Sequence, residues 1–146
     1  MEIFGYIIIG IIILYILGFI VNLFLPSNTI TIEELSNNVT EWFIKMYPIR
    51  KKYPRIVISG ESSDYAGTYT FYNNTITLFT LNVSDYESIV EITLHELVHW
   101  REITSLSKDQ LYDKQLNQYG YENHPQEIWC RAVAAELSKH YINQRL

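Results

Sequence analysis

His95-Glu96-Leu97-Val98-His99 is the stretch of this chain whose residue types and spacing can do chemistry. On a helix, residues four apart lie one above the other, so His95 and His99 can offer two imidazole nitrogens to one tetrahedral ion. Glu96 lies about 100° round the helix from His95, on the flank of that face. From there it can take a proton from a water at the metal without being a ligand, and later hand it to a leaving amine. Half of the four histidines in the chain sit in this motif, among apolar Leu94, Leu97 and Val98. Two imidazoles buried without a partner would be costly, so an ion between them is the expectation. Zinc suits such a donor set.

A zinc that keeps a position open for water needs a third protein ligand. The elongated motif with glycine at 102 and histidine at 105 is absent, because Glu102 and Ser105 stand there. Four candidates remain: Glu102, His124, Glu127 and Cys130. Glu102 is one turn beyond His99, too far along the axis to meet an ion held between the histidines. Cys130 is expected to pack as a small apolar residue. His124 precedes Pro125 and could cap a helix or line the site. Glu127 is the expected ligand, since it stands in the first turn of a separate helix that can cross the first. An oxyanion donor is also required, and Tyr119, Tyr121 and His124 are open alternatives for it.

The elements that must position these residues can be read from periodicity and caps. Thr31 and Glu34 have capping-box spacing and open a helix that Pro48 ends, with Leu35, Val39, Trp42, Phe43 and Met46 as its apolar stripe. "RIVIS" reads as a strand. Tyr65–Tyr72 and Thr75–Thr80 read as a hairpin turning at Asn73-Asn74, giving two or three antiparallel strands. The clustered tyrosines are expected to pack on the sheet, with a substrate groove as their other possible role. "SDYE", Ser84 to Glu87, offers a second capping box for the motif helix, which should run to about Thr104. Leu106 to Gly120 is polar without a clear face and reads as a short helix or a loop. "NHPQE" starts the last helix, where Ile128, Ala132, Ala135 and Lys139 fall at helical spacing. The fold class is α+β.

The chain has 146 residues, a formal net charge of -5 and one cysteine. That size bounds the soluble part at one small domain. An acidic chain whose only basic cluster is Arg50–Arg55 gives no reason to expect nucleic-acid binding. A single cysteine, Cys130, permits no intrachain disulfide. Ile3 to Leu25 is apolar apart from Asn22 and long enough to cross a bilayer. No Lys or Arg precedes it and no small-residue cleavage site follows, which argues against a removed signal peptide. Residues 1–27 are therefore expected to be a single-pass transmembrane anchor with a short linker, and residues 28–146 the metal-site domain. Lys45 and the Arg50–Arg55 cluster lean toward a cytoplasmic C-terminal domain.

"TLHELVHWRE" followed by "HPQEIWCRAVAAEL" resembles the small gluzincin metallopeptidases, the ImmA/IrrE-type and minigluzincin-like proteins of bacteria and phages. The likeness covers roughly Tyr65 to Leu137. It implies a zincin-like domain with a hairpin ahead of the motif helix, and a later helix whose Glu127 completes the zinc site beside His95 and His99, with Glu96 as general base. Two departures stand out: Cys130 replaces the usual alanine, and Arg131 stands where a thermolysin-like pattern has aspartate. The expected activity is hydrolysis of peptide bonds in a peptide or protein substrate by a membrane-bound zinc enzyme. The alternative is a zinc-stabilised membrane module that binds or regulates without hydrolysis. A structural site has no need of Glu96, which favours the enzyme.

Overall fold

A computed structural model of the chain describes residues 30–83 and 85–145. The apolar run expected to anchor the chain, and Ser84 of the expected second capping box, lie outside the described residues. Among the described residues no helix is long and apolar enough to cross a membrane.

Helix α1 spans Ile32–Met46, and the Thr31 hydroxyl accepts the Glu34 N–H at 3.1 Å, so the expected cap forms. Its buried face is Leu35, Ser36, Val39, Thr40, Phe43 and Ile44. Met46, expected in the stripe, is exposed, and Ile44 takes that place in the core. Residues 47–54 then carry the chain to β1 (Arg55–Ser59), and β2 (Gly67–Thr70) and β3 (Thr75–Phe79) follow.

The sheet order is β1-β3-β2. β2 and β3 form the expected antiparallel hairpin, but β1 runs parallel to β3, not antiparallel. Asn74 explains part of this arrangement. It has φ 51°, in the left-handed region that asparagine tolerates. Its side-chain amide donates to the carbonyls of Lys52 and Tyr53, and its own carbonyl accepts from the Arg55 N–H. The turn thus holds the segment leading into β1 and sets that strand beside the start of β3. The turn is also longer than expected: Phe71 and Tyr72 belong to it, and Thr70 pairs with Thr75.

Helix α2 spans Tyr86–Glu102, and its cap is Asp85, whose carboxylate accepts the Ser88 N–H at 2.8 Å. The cap therefore lies one residue later than the Ser84–Glu87 spacing suggested. This helix is the centre of the fold, packing on α1, on β2 and β3, and on the last helix. Every residue from Thr93 to Trp100 is buried. Lys51 closes its C-terminal end by donating to the carbonyls of Trp100 and Ile103, which a helix terminus otherwise leaves unpaired.

The polar stretch is a full helix, α3, over Leu106–Tyr119. Ser105 caps it by accepting the Lys108 N–H, and Gly120 ends it at φ 70°. Helix α4 (Pro125–Asn143) follows. Its buried face is Glu127, Cys130, Ala134, Ser138 and Tyr141, and the residues whose spacing marked the helix, Ile128, Ala132, Ala135 and Lys139, lie off that face. Ile128 is 51 % exposed. The inner face is partly polar because it meets α2 at the site, where a glutamate and a thiol have partners.

Candidate metal centre

The central position of α2 decides where its histidines go. Leu94, Leu97 and Val98 are buried in the core, and that orientation turns His95 and His99 toward α4. Burial of Leu94 and Leu97 alone contributes on the order of 2 kcal/mol each, enough to fix the rotation of the helix. From α4, Glu127 arrives in the first turn. Its carboxylate Oε2 lies 3.0 Å from His95 Nε2 and its Oε1 lies 3.0 Å from His99 Nε2. The two Nε2 atoms are 3.1 Å apart.

All three side chains are buried and present their ligand atoms to one point. Ligands at zinc distances of about 2.0–2.2 Å in a tetrahedron stand roughly 3.3 Å from one another, within a few tenths of an ångström of the separations here. The residues fit a divalent metal. Two imidazoles and a carboxylate are the donor set of a site that keeps a fourth position free.

Several neighbours hold the ligands. The N–H groups of Gln126 and Glu127 donate to His124 Nδ1 at 3.1 and 3.3 Å, and His124 Nε2 donates to the Tyr112 carbonyl at 3.1 Å. This capping ties the start of α4 to α3. Tyr112 itself, from α3, donates its hydroxyl to Glu127 Oε1. On the far side of His99, Nδ1 meets Cys130 Sγ at 3.6 Å. Cys130 is wholly buried, as expected, but it also occupies the outer nitrogen of a ligand histidine, where a carbonyl or carboxylate usually sits. Burial pushes its thiol pKa up, so it stays protonated. Burial opposes ionisation of Glu127, yet the hydrogen bonds from His95 and His99, the charge of His99 and the Tyr112 hydroxyl outweigh it and hold the carboxyl well below its usual range. The positive end of α4 adds to this.

Glu96 stands apart from the three ligands and beside them. It is 5 % exposed, and among the described residues no side chain hydrogen-bonds its carboxylate. Burial raises its pKa, while the charges of His99 and His95 pull the other way. Strand β2 presses against it. A Cβ on Gly67 would come within 2.8 Å of Ile92 Cγ2, 3.0 Å of Glu96 Cγ and 3.1 Å of Glu96 Oε1. Only glycine allows this approach, and it makes the strand one wall of the site.

Between β2 and α3 lies a groove of about 220 Å³ that reaches His95, Glu96, His99 and Glu127. On the other side of His95 and Glu96 a second hollow of about 260 Å³ continues past Glu91 and Arg131. Gly67 and Tyr121 border both. Tyr65 and Tyr69 line the groove, and Tyr69 also packs against the hydrophobic core as expected of a sheet tyrosine.

Of the other expected candidates, Glu102 stays outside the cluster and sits by Arg101 at 3.9 Å. His124 has both nitrogens engaged, Nδ1 in capping α4 and Nε2 on the Tyr112 carbonyl. Tyr119 is 44 % exposed and lines neither hollow. Tyr121 lines both, stands edge-on to Tyr65 with ring centroids 5.3 Å apart, and keeps its proton because burial and the Glu127 charge raise its pKa. Tyr112 and Gly67 were not foreseen. The helical spacing of Asp109, Tyr112, Asp113 and Leu116 was the one available sign that α3 turns a face to the site.

Comparison with protein-family models, with curated proteins and with solved structures gave no match.

Proposed function

We propose that this protein is a zinc metallopeptidase of gluzincin type, attached to a membrane through Ile3–Leu25. The observation that carries the reading is the pairing of two different roles within one helical turn. His95 and His99 converge with Glu127 on one point, while the Glu96 carboxylate opens into the adjoining groove without joining them. A site that only stabilised the fold would need the first three and not the fourth.

When bound, zinc supplies Lewis acidity, which makes water a nucleophile near neutral pH and polarises a carbonyl. His95, His99 and Glu127 would hold it. Glu96 accepts the proton of the attacking water and passes it to the departing amine, and burial makes its carboxylate a stronger base than one in water. Tyr121 donates its hydroxyl to the oxyanion that forms as the carbonyl is attacked. A peptide would lie extended along β2. This is an edge strand of the sheet, the one beside the site, and it offers main-chain groups to a partner strand.

The test is the Glu96→Gln variant of the full chain. It is expected to keep about one zinc per chain by metal analysis and to lose peptidase activity by about 10²–10⁴. Unchanged turnover of a substrate that the wild type cleaves would overturn the mechanism and favour a zinc-stabilised module without hydrolytic activity.

A further inference from the structure

The two hollows either side of the metal ligands differ in charge. The one beyond Glu91 is lined by Glu91 and Glu96 and by one cation, Arg131, which is itself engaged with the Glu122 side chain and carbonyl. The groove under α3 is lined by Asp109 and Asp113 as well as Glu96 and Glu127, and among the described residues no lysine or arginine lines it. Glu127 and Glu96 face the metal position. Asp109 and Asp113 do not, and neither has an ion-pair partner among the described residues.

Both aspartates belong to the face of α3 that looks into the groove. Tyr112, between them, reaches Glu127, and Leu116, one turn further on, lines the same wall. The opposite wall is β2, where Tyr69 feels the charge of Asp109 across the gap. Burial chiefly, with that charge, raises its hydroxyl pKa to about 12. Asp109 in turn is pushed up by partial burial and by Asp113, four residues on. Two carboxylates that disfavour each other, half-buried Asp109 and exposed Asp113, line the groove together with the apolar side chains of Ile103 and Leu116 and the ring of Tyr69. Lys51 does not fill it, because its ammonium is held by the Trp100 and Ile103 carbonyls and the Tyr69 hydroxyl. The ligand it matches is a long aliphatic chain ending in a cation.

We infer that the α3 side of the groove is a substrate subsite for a lysine or arginine side chain, and that Asp109 and Asp113 set a preference for basic peptides. This rests on the peptidase reading of the same site. The carboxylate of Glu96, 95 % buried and opening into the same groove, places the reacting bond next to these residues. The basic residue therefore falls within one or two positions of the bond that is cut.

The experiment uses the zinc-loaded full chain in neutral detergent, carrying Glu96→Gln so that no peptide is consumed. Fluorescein-labelled alanine hexapeptides carry a single lysine, norleucine or glutamate, walked through each position, and affinity is read by anisotropy. At one or two adjacent positions, lysine is expected to bind about fivefold to tenfold tighter than norleucine. Norleucine has the same stem without the charge, and the lysine advantage should shrink with added salt. Adding Asp109→Asn and Asp113→Asn should bring the lysine-to-norleucine ratio to about one, with zinc content and melting temperature checked alongside. A panel bound equally or not at all, or a lysine preference that survives both substitutions, overturns the subsite. The same panel is given to the wild-type enzyme and read by mass spectrometry. Cleavage without a basic preference overturns the subsite and leaves the peptidase reading standing. A lysine preference in binding with no cleavage anywhere does the reverse.

Discussion

Helices α2 and α3 both line the groove and are built on opposite principles. From Thr93 to Trp100 every residue of α2 is buried, whereas α3 has no buried residue at all. One helix carries two of the candidate metal ligands and the proposed base in a core that fixes them. The other lies on the surface and gives the groove its wall, its hydrogen bond to Glu127 and its charge. The contrast separates two tasks. Holding ligand atoms within tenths of an ångström needs close packing, while selecting a substrate needs side chains that water and substrate can both reach.

The largest expected effect strikes the buried helix. Replacing His95 and His99 together by alanine should abolish zinc binding and lower the melting temperature in the presence of zinc, because metal affinity is partly folding free energy. Metal analysis and calorimetry check it, and normal zinc content in the double variant would break the site. Glu127→Gln should weaken zinc strongly, whereas Glu102→Gln should leave it nearly unchanged.

The core side chains beside the ligands come next. Leu97→Ala should cost about 2–5 kcal/mol of stability by urea unfolding. In α3 the corresponding change, Leu111→Ala at a position 53 % exposed, should stay within about 0.5 kcal/mol. Similar costs at the two positions would erase the contrast between the helices.

Tyr112→Phe tests what α3 lends to α2. It removes the hydroxyl on Glu127 and should weaken zinc by about 10- to 100-fold, the usual scale for a group that orients a ligand. Titration with a chelator measures this. Cys130→Ala, which replaces a weak sulfur acceptor beside His99, should do less. A Tyr112→Phe protein with wild-type zinc affinity would reduce α3 to a bystander.

Gly67→Ala sharpens the picture from the strand side. The added methyl has no room against Ile92 and Glu96, so Glu96 or the strand must move. Turnover should fall more than zinc affinity does, because Glu96 is not a ligand. Equal losses in both would mean that the strand, rather than the base, has shifted.

The same contrast explains what could be read from the sequence. α2 was legible because its apolar residues and its histidines each repeat at helical spacing, and Glu127 followed from the need for a third ligand on a separate helix. Beyond Glu127 and Cys130 the buried face of α4, Ala134, Ser138 and Tyr141, was not legible, because polar residues interrupt its apolar periodicity and their burial depends on packing against other elements. The parallel pairing of β1 depends on an Asn74 side chain reaching back to residues 52 and 53, a long-range contact without periodicity. α3 was hidden for a different reason. Its inner face is Asp109, Tyr112, Asp113 and Leu116, which no hydrophobic pattern marks, because it borders a groove and not a core.

That wall has a consequence for exchange with solvent. A helix with no buried residue is held by its own backbone bonds, its Ser105 cap and a few side-chain contacts, so it can open without disturbing the core. Its amide protons should trade with deuterium through such local openings, while those of Leu94 to Trp100 wait for the whole domain to unfold. A peptide lying across the groove would join the two helices and slow exchange in α3 first. Protection there would be a measure of occupancy that requires neither a label on the peptide nor a bond to be cut.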